Sequence, residues 1–351
     1  MNEKHEGSTG QLVKFSSWYF LFYVLFTVLT KYFTDQRPDY PGLSQMEFLY
    51  YSTIGGLLIC LSVVVARRWW RRLQSMGSVN LILFQMPREY LWLIPSGFCT
   101  AIIIPTTTLM YTLPITIMLA MTLMRASIIV IGRAVDAIQR RQGILKEPVL
   151  WEENIAVVFA VSTVIVVITT QPQGQFDFLR SSFALTVMAM YISSYAIRIY
   201  IMNHYKNTHG KPDTKAFFGI EQLVAAATVI VFATGLIIAT KLLSWQEPRL
   251  IQVAQTSSSL NIFAILAGVP FGLAAFFSVF LFMFKGRNGT FSTLVNRLAS
   301  LIAGTAATLI YHYGFGGKFP STHEWISLSL ILIAVGFLVK AELRRADLTR
   351  M

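Results

Sequence analysis

Arg125 lies within a long apolar stretch of the chain, about eleven residues beyond Pro114, or ~16 Å of helix rise. That depth is close to the middle of a bilayer, where a charge costs at least ~2.5–3.5 kcal/mol. No carboxylate on the same stretch shares its depth, so an ion pair within one helix cannot neutralise it. An arginine so placed suits a phosphate or carboxylate on a solute, because its planar fork of donors matches either group. The alternative is a structural hydrogen bond to a neighbouring helix. Arg297 is shallower in its own stretch, where it either lines the same cavity or snorkels to the interface. Its neighbour Asn296 points ~100° away round the helix, at the cavity edge. Tyr191 and Tyr195, like Tyr50 and Tyr51, offer hydroxyls or a stacking face. Glu47 and Glu221 stand near the ends of their stretches. There they serve as gate partners, as proton-coupling carboxylates if burial raises their affinity for protons, or as ordinary solvated termini. Arg198 and Lys31, also near ends, are expected to snorkel and to anchor at the interface.

These residues need membrane-spanning elements to hold them, and the composition supplies such elements. Of 351 residues, 54% are hydrophobic and 13% charged, with a mean hydropathy of +0.57. A soluble chain carries about 25% charged residues. The apolar residues fall into ten blocks near the ~20 residues a helix needs to cross the hydrocarbon. These are residues 15–33, 48–66, 90–110, 115–136, 155–170, 183–202, 217–240, 262–284, 291–311 and 325–341. Helices are expected because lipid cannot satisfy free backbone groups. The fold class expected is all-α integral membrane, with polar tails at 1–14 and 342–351. A tight turn, Tyr111-Thr112-Leu113-Pro114, joins the third and fourth spans.

The net charge of +12 does not indicate nucleic acid, because the basic residues recur between spans and do not gather on one domain. Most fall in loops and tails on one side of the ten-span alternation, including Arg67-Arg68-Trp69-Trp70-Arg71-Arg72. Only Lys31, Arg37, Arg180, Lys241, Arg249 and Lys318 fall on the other. That bias places both termini in the cytoplasm. With short tails and no retention signal, a bacterial inner membrane is preferred to Golgi or endoplasmic reticulum. The sequon Asn288-Gly289-Thr290 then lies in a cytoplasmic loop, where it is not used.

Ten spans divide as five plus five, at residues 15–170 and 171–341, and an odd number per half makes the second half enter from the opposite side. Inverted repeats are therefore expected. Arg125 is followed by Gly132 at the spacing with which Arg297 is followed by Gly304, and Glu47 and Glu221 occupy matching places. Gly55-Gly56, Gly268 and Gly272 are expected where helices approach closely, and Pro270 at a packing kink.

Several patterns resemble the drug/metabolite transporter superfamily. They are the hairpin between spans three and four, Phe291-Ser292-Thr293-Leu294-Val295-Asn296-Arg297-Leu298-Ala299-Ser300, Phe319-Pro320-Ser321 and Trp325-Ile326-Ser327-Leu328. Trp18-Tyr19-Phe20 through Lys31-Tyr32 is similar to its nucleotide-sugar and triose-phosphate translocator branch. The resemblance implies a secondary carrier working by alternating access.

The residues agree on function class. No Walker motif is present, and His5, His204, His209, His312 and His323 lack catalytic or metal-ligand spacing. Cys60 and Cys99 read as small hydrophobes. The expectation is a carrier, an exchanger or proton-coupled, for a small anionic or zwitterionic metabolite. It acts as a monomer or homodimer, with no cofactor, no metal, no catalytic residue and no nucleic-acid partner. The alternatives are a lipid flippase and an integral-membrane enzyme acting on a lipid-linked substrate.

Overall fold

A computed structural model describes residues 9–73, 77–81, 84–145, 149–169, 180–208, 213–242, 247–282 and 289–350. The sequon's Asn288 and His5 lie outside them. Eleven α-helices carry the fold. They are α1 (Thr9–Thr34), α2 (Gln45–Arg67), α3 (Tyr90–Thr112), α4 (Ile117–Arg141), α5 (Trp151–Thr169), α6 (Ser182–Thr208), α7 (Thr214–Leu242), α8 (Pro248–Thr256), α9 (Ile262–Phe282), α10 (Gly289–Phe315) and α11 (Thr322–Arg350). Among the described residues, nine are long and apolar enough to span a membrane, so the chain is a multi-pass membrane protein. The helix at the place of the fifth expected span, α5, has 19 residues and is not one of the nine.

Several details differ from the sequence reading. α1 begins at Thr9, inside the expected amino-terminal tail, and α11 continues through the expected carboxy-terminal one. Two short strands, β1 (Ser78–Leu81) and β2 (Phe84–Pro87), pair antiparallel between α2 and α3 in what was expected to be an all-α chain. Their sequence is too short and mixed to announce a hairpin. The basic Trp69–Arg72 block is a 3-10 turn that buries Trp69 against Phe218 and Phe276. The turn between α3 and α4 lies slightly later than expected, with Thr116 capping α4. α8, a short helix after α7, was not foreseen.

Packing follows a regular scheme. α3 lies against α6 and α7, and α9 against α1 and α2. α4 contacts α5 and α6, while α10 contacts α11 and α1. α4 also crosses α10, and α5 pairs with α11. The core between them is apolar, with Phe26, Phe48, Met110, Tyr111 and Met124 fully buried.

α2 and α9 approach closely at the expected glycines. A Cβ at Gly268 would lie 2.0 Å from the carbonyl oxygen of Ser52, and one at Gly55 1.8 Å from that of Ile265. Backbone cannot yield as a side-chain tip can, so any side chain here separates the helices. Gly268→Val is expected to cost about 1–3 kcal/mol from overpacking. It should lower the melting temperature in detergent, whereas Gly336→Ala, with nothing near the new methyl, leaves it unchanged or raised. Equal melting of the two variants would contradict the close contact.

At the end of the bundle carrying the tails, α5 is tied to α11. Arg344 reaches Glu152 at 3.1 Å and Arg345 pairs with Glu153. At the opposite end the α1–α2 loop is fastened to α10. Arg37 donates to the carbonyls of Phe315 at 2.8 Å and Gly316 at 3.2 Å, and Tyr40 to Phe315 at 2.8 Å.

Candidate functional site: a buried arginine among tyrosines

Arg125 is 3% exposed, held mid-bundle by α4. One of its terminal nitrogens donates to the hydroxyls of Tyr19 at 3.2 Å and Tyr23 at 3.3 Å, neighbours one turn apart on α1. The Tyr23 ring also faces the guanidinium, 5.7 Å from its carbon. Tyr23 and the Tyr111 hydroxyl on α3 are 2.7 Å apart, and Tyr111 donates onward to the Met121 sulfur at 3.0 Å. Tyr191 and Tyr195 on α6, with ring centroids 4.7 Å apart, stand within electrostatic range of Arg125, and Ser300 on α10 flanks Tyr19.

The chain of donors decides what this cluster can do. A guanidinium has five N–H groups and no acceptor. It donates to two phenols, and from one of them, Tyr23, the hydrogen bonds run on through Tyr111 to a thioether, a weak acceptor. The Nε of Arg125 has no hydrogen-bond partner, and no carboxylate forms an ion pair with the guanidinium among the described residues. A buried cation left uncompensated costs several kcal/mol. The cluster therefore has donors and positive charge in excess and lacks an anionic acceptor.

Arg297 extends the same surface. It is 8% exposed and lies across α4, donating weakly to the carbonyl of Ile128 at 3.5 Å. A Cβ on Gly132 would fall 2.9 Å from its guanidinium, so that glycine makes room for it. Its Nε is also without a hydrogen-bond partner, and Asp136 is in electrostatic range without forming an ion pair with it among the described residues.

Of the residues expected at the site, Arg125, Arg297, Tyr191 and Tyr195 converge. Asn296 instead donates to Ser278 on α9 at 3.0 Å, so it joins α10 to α9. Glu47 forms a capping box with Ser44 at the start of α2 and is not among these groups. Tyr51 bonds Ser259 at 2.6 Å, away from the cluster. The reading missed Tyr19, Tyr23, Tyr111 and Ser300. Tyr19 and Tyr23 carried a signal, two phenols at a spacing of one helical turn, but nothing in sequence says that α1 faces α4.

Arg198 and Glu221 correct two expectations together. Arg198 does not snorkel. It is buried and grips Glu221 with two bonds, Nε to Oε1 at 2.7 Å and Nη2 to Oε2 at 2.9 Å. Ser96 at 2.6 Å and Thr100 at 3.0 Å also donate to that carboxylate. Glu221 is fully buried and neither a solvated terminus nor a free acid; the pair pins α3, α6 and α7. Alone, Arg198 looked like a snorkelling charge and Glu221 like a gate, a coupling carboxylate or a solvated terminus, because the partner is on another helix. Breaking a buried pair costs about 3–5 kcal/mol. Arg198→Met or Glu221→Leu should therefore lower the melting temperature markedly, while the double replacement recovers most of the loss. Single variants that melt with the parent would refute the pinning role.

A cavity of about 830 Å³ opens at the bundle end opposite the tails. It is bounded by the α1–α2 loop, the α3–α4 turn, α8 and the α10–α11 loop. Lys31, Arg37, Arg249 and Lys318 line it, with Asp35 the acid among the lining residues. Lys31 is more than an interfacial anchor, donating to the carbonyls of Leu113 and Ile115 at 2.7 Å each. Asp35 is taken by Arg37, at 2.6 Å, and by the Tyr311 hydroxyl. The bonds from Arg37, with help from Tyr311, hold the Asp35 carboxyl down at about 2. A depressed carboxyl contributes stability above its ordinary value of ~3.9 and loses it as pH falls through the folded one. Asp35→Asn should thus melt below the parent at pH 6, and the gap should close as pH falls from 4 towards 2. A gap independent of pH would mean the carboxylate charge is not what fastens the loop.

No family model matches the chain, and no curated protein matches it. Among solved structures, one crystal structure, described only as that of a protein, superposes over 96% of this chain and 99% of its own. The two share 15% of residues, with a TM-score of 0.54. That likeness shows a common fold.

Proposed function

We propose that the chain is a secondary carrier for a small anionic metabolite, with Arg125 as the group that meets the anion. The observation that carries this reading is the buried guanidinium with a free Nε, surrounded by phenols and lacking a carboxylate. A structural arginine would be expected to be matched as Arg198 is matched by Glu221. An exporter of cations would instead be expected to hold an acid at this depth.

The architecture fits alternating access by two inverted five-helix repeats, residues 15–170 and 171–341, with α5 counted as the tenth span. Exchanging α1 with α6, α2 with α7, α3 with α9, α4 with α10 and α5 with α11 converts the main packing partners into one another. The α3–α6 contact becomes α9–α1, α3–α7 becomes α9–α2, α4–α6 becomes α10–α1, and α4–α5 becomes α10–α11. α4–α10 and α5–α11 map onto themselves. Arg125 and Arg297 occupy the same position counted from Ile117 and Gly289, the first residues of their helices. Such a relation puts a site at the interface of the repeats, where rocking of one against the other exposes it alternately. The distribution of basic loops supports cytoplasmic tails, with the 830 Å³ cavity on the other side.

The test is exchange by proteoliposomes of purified protein, preloaded with phosphomonoesters and carboxylates. Saturable exchange of an anion is expected. In Arg125→Ala it should fall at least about thirtyfold, from the loss of ~2 kcal/mol or more on removing a buried charged contact. Undiminished exchange by a well-folded Arg125→Ala protein would remove the site. Transport of cations in place of anions would remove the function, and movement of a labelled lipid alone would replace it with flipping.

A further inference from the structure

The cavity at the bundle end away from the tails has a charge pattern that the central arginine does not explain. Four cations line it against one acid, and that acid is already held by Arg37 and Tyr311. Lys31, Arg249 and Lys318 remain. Lys31 sits at the floor, its ammonium bonded to two neutral carbonyls, which use two of its three donors and cancel none of its charge. Arg249, at the start of α8, has its guanidinium 4.0 Å above the Phe183 ring and forms no ion pair among the described residues. Lys318 projects from the opposite rim on the α10–α11 loop and forms no ion pair among the described residues.

The position of the cavity is as informative as its charge. Two helices lead from it to the central site. α1 passes from Lys31 to Tyr23 and Tyr19, and α4 from Ile117, a lining residue, to Arg125. The separation along each helix is ~12 Å. At about 830 Å³ the cavity is in the range of ~300–1,000 Å³ that takes whole small ligands. A concave, low-dielectric surface of one sign concentrates counter-ions and raises association rates by about 10–10³-fold.

We propose that this chamber is a capture site for anionic solutes, carried by Lys31, Arg249 and Lys318 and stacked above the Arg125 centre. Its role as an antechamber rests on the carrier reading; its binding of anions does not. The ligand class is a phosphorylated or carboxylated small molecule, held loosely enough to move on to the buried arginine. The latch of Arg37, Asp35 and Tyr311 forms one wall and prevents Asp35 from cancelling the field.

The chamber can be tested without transport. Gln252 lines it and is exposed, while Cys60 and Cys99 are buried. Gln252→Cys would be labelled, in nanodiscs of neutral lipid, with a sulfonate-bearing and a trimethylammonium-bearing methanethiosulfonate. The ratio of the anionic to the cationic labelling rate should fall at least about tenfold when Arg249→Gln and Lys318→Gln are added. Inorganic phosphate should slow labelling in the parent more than in that double variant. Both substitutions are on the rim, and an unchanged melting temperature would show that the fold is kept. A ratio that ignores the two substitutions overturns the proposal. The companion measurement is exchange in proteoliposomes, where the double variant should raise KM from the chamber side and leave the saturated rate unchanged. An anion-selective chamber in a chain without anion flux would keep the capture site and remove the carrier reading. Flux with an unselective chamber would do the reverse.

Discussion

A positive charge buried in the middle of an apolar bundle without a counter-ion is the constraint around which this protein is arranged. Arg125 cannot lose its proton, and its desolvation costs several kcal/mol. The surrounding helices respond in a particular way. Among the described residues they bring five phenols near it and no ion-paired carboxylate, so the charge is spread and oriented but not neutralised. Elsewhere in the same chain buried charges are treated in the opposite manner. Arg198 is matched by Glu221, whose carboxylate also accepts from two hydroxyls, and Arg345 by Glu153 and Glu342. The contrast separates paired charges that hold helices together from one with no ion-paired carboxylate among the described residues.

The packing around this centre is close. α4 and α10 cross so that Gly132 admits the Arg297 guanidinium and Gly304 admits Met121. α2 and α9 meet through glycines, with Ile59 seated over Gly272 and Phe271 over Gly56. Close contacts of this kind allow van der Waals packing in lipid, where no hydrophobic force drives helices together. The ends are fastened by different chemistry: ion pairs between α5 and α11 at one, and the Arg37–Asp35 latch onto α10 at the other. The latch and the ion pairs sit at the two ends of the bundle, outside the centre.

Much of this was legible in the sequence, for physical reasons that also set its limits. Apolar blocks of membrane-spanning length gave the helices, and the cost of a charge at mid-depth singled out Arg125. The glycines on α2 and α9 announced a close approach. What sequence could not supply was which helices face one another. Arg198 looked like a snorkelling charge and Glu221 like a gate, a coupling carboxylate or a solvated terminus until α6 and α7 placed them together. Asn296 looked like a neighbour of the site and turned towards Ser278. Tyr19 and Tyr23 were quoted for a family resemblance and overlooked as ligands of the arginine. Strands β1 and β2 and helix α8 lie in linkers between the membrane-spanning blocks and are too short to stand out beside them.

The central claim is that Arg125 is retained for an anion at some expense to the unliganded fold. The most direct measurement is the thermal unfolding of the parent and of Arg125→Met, each with and without a panel of phosphomonoesters, carboxylates and organic cations. The account predicts that Arg125→Met melts at or above the parent without ligand, because an uncompensated buried charge has been exchanged for an apolar side chain of similar length. It also predicts that an anion raises the melting temperature of the parent alone, by an amount corresponding to ~2.7 kcal/mol at a hundred times its Kd. If Arg125→Met instead melts well below the parent and no anion stabilises either protein, Arg125 is a structural residue and the account fails.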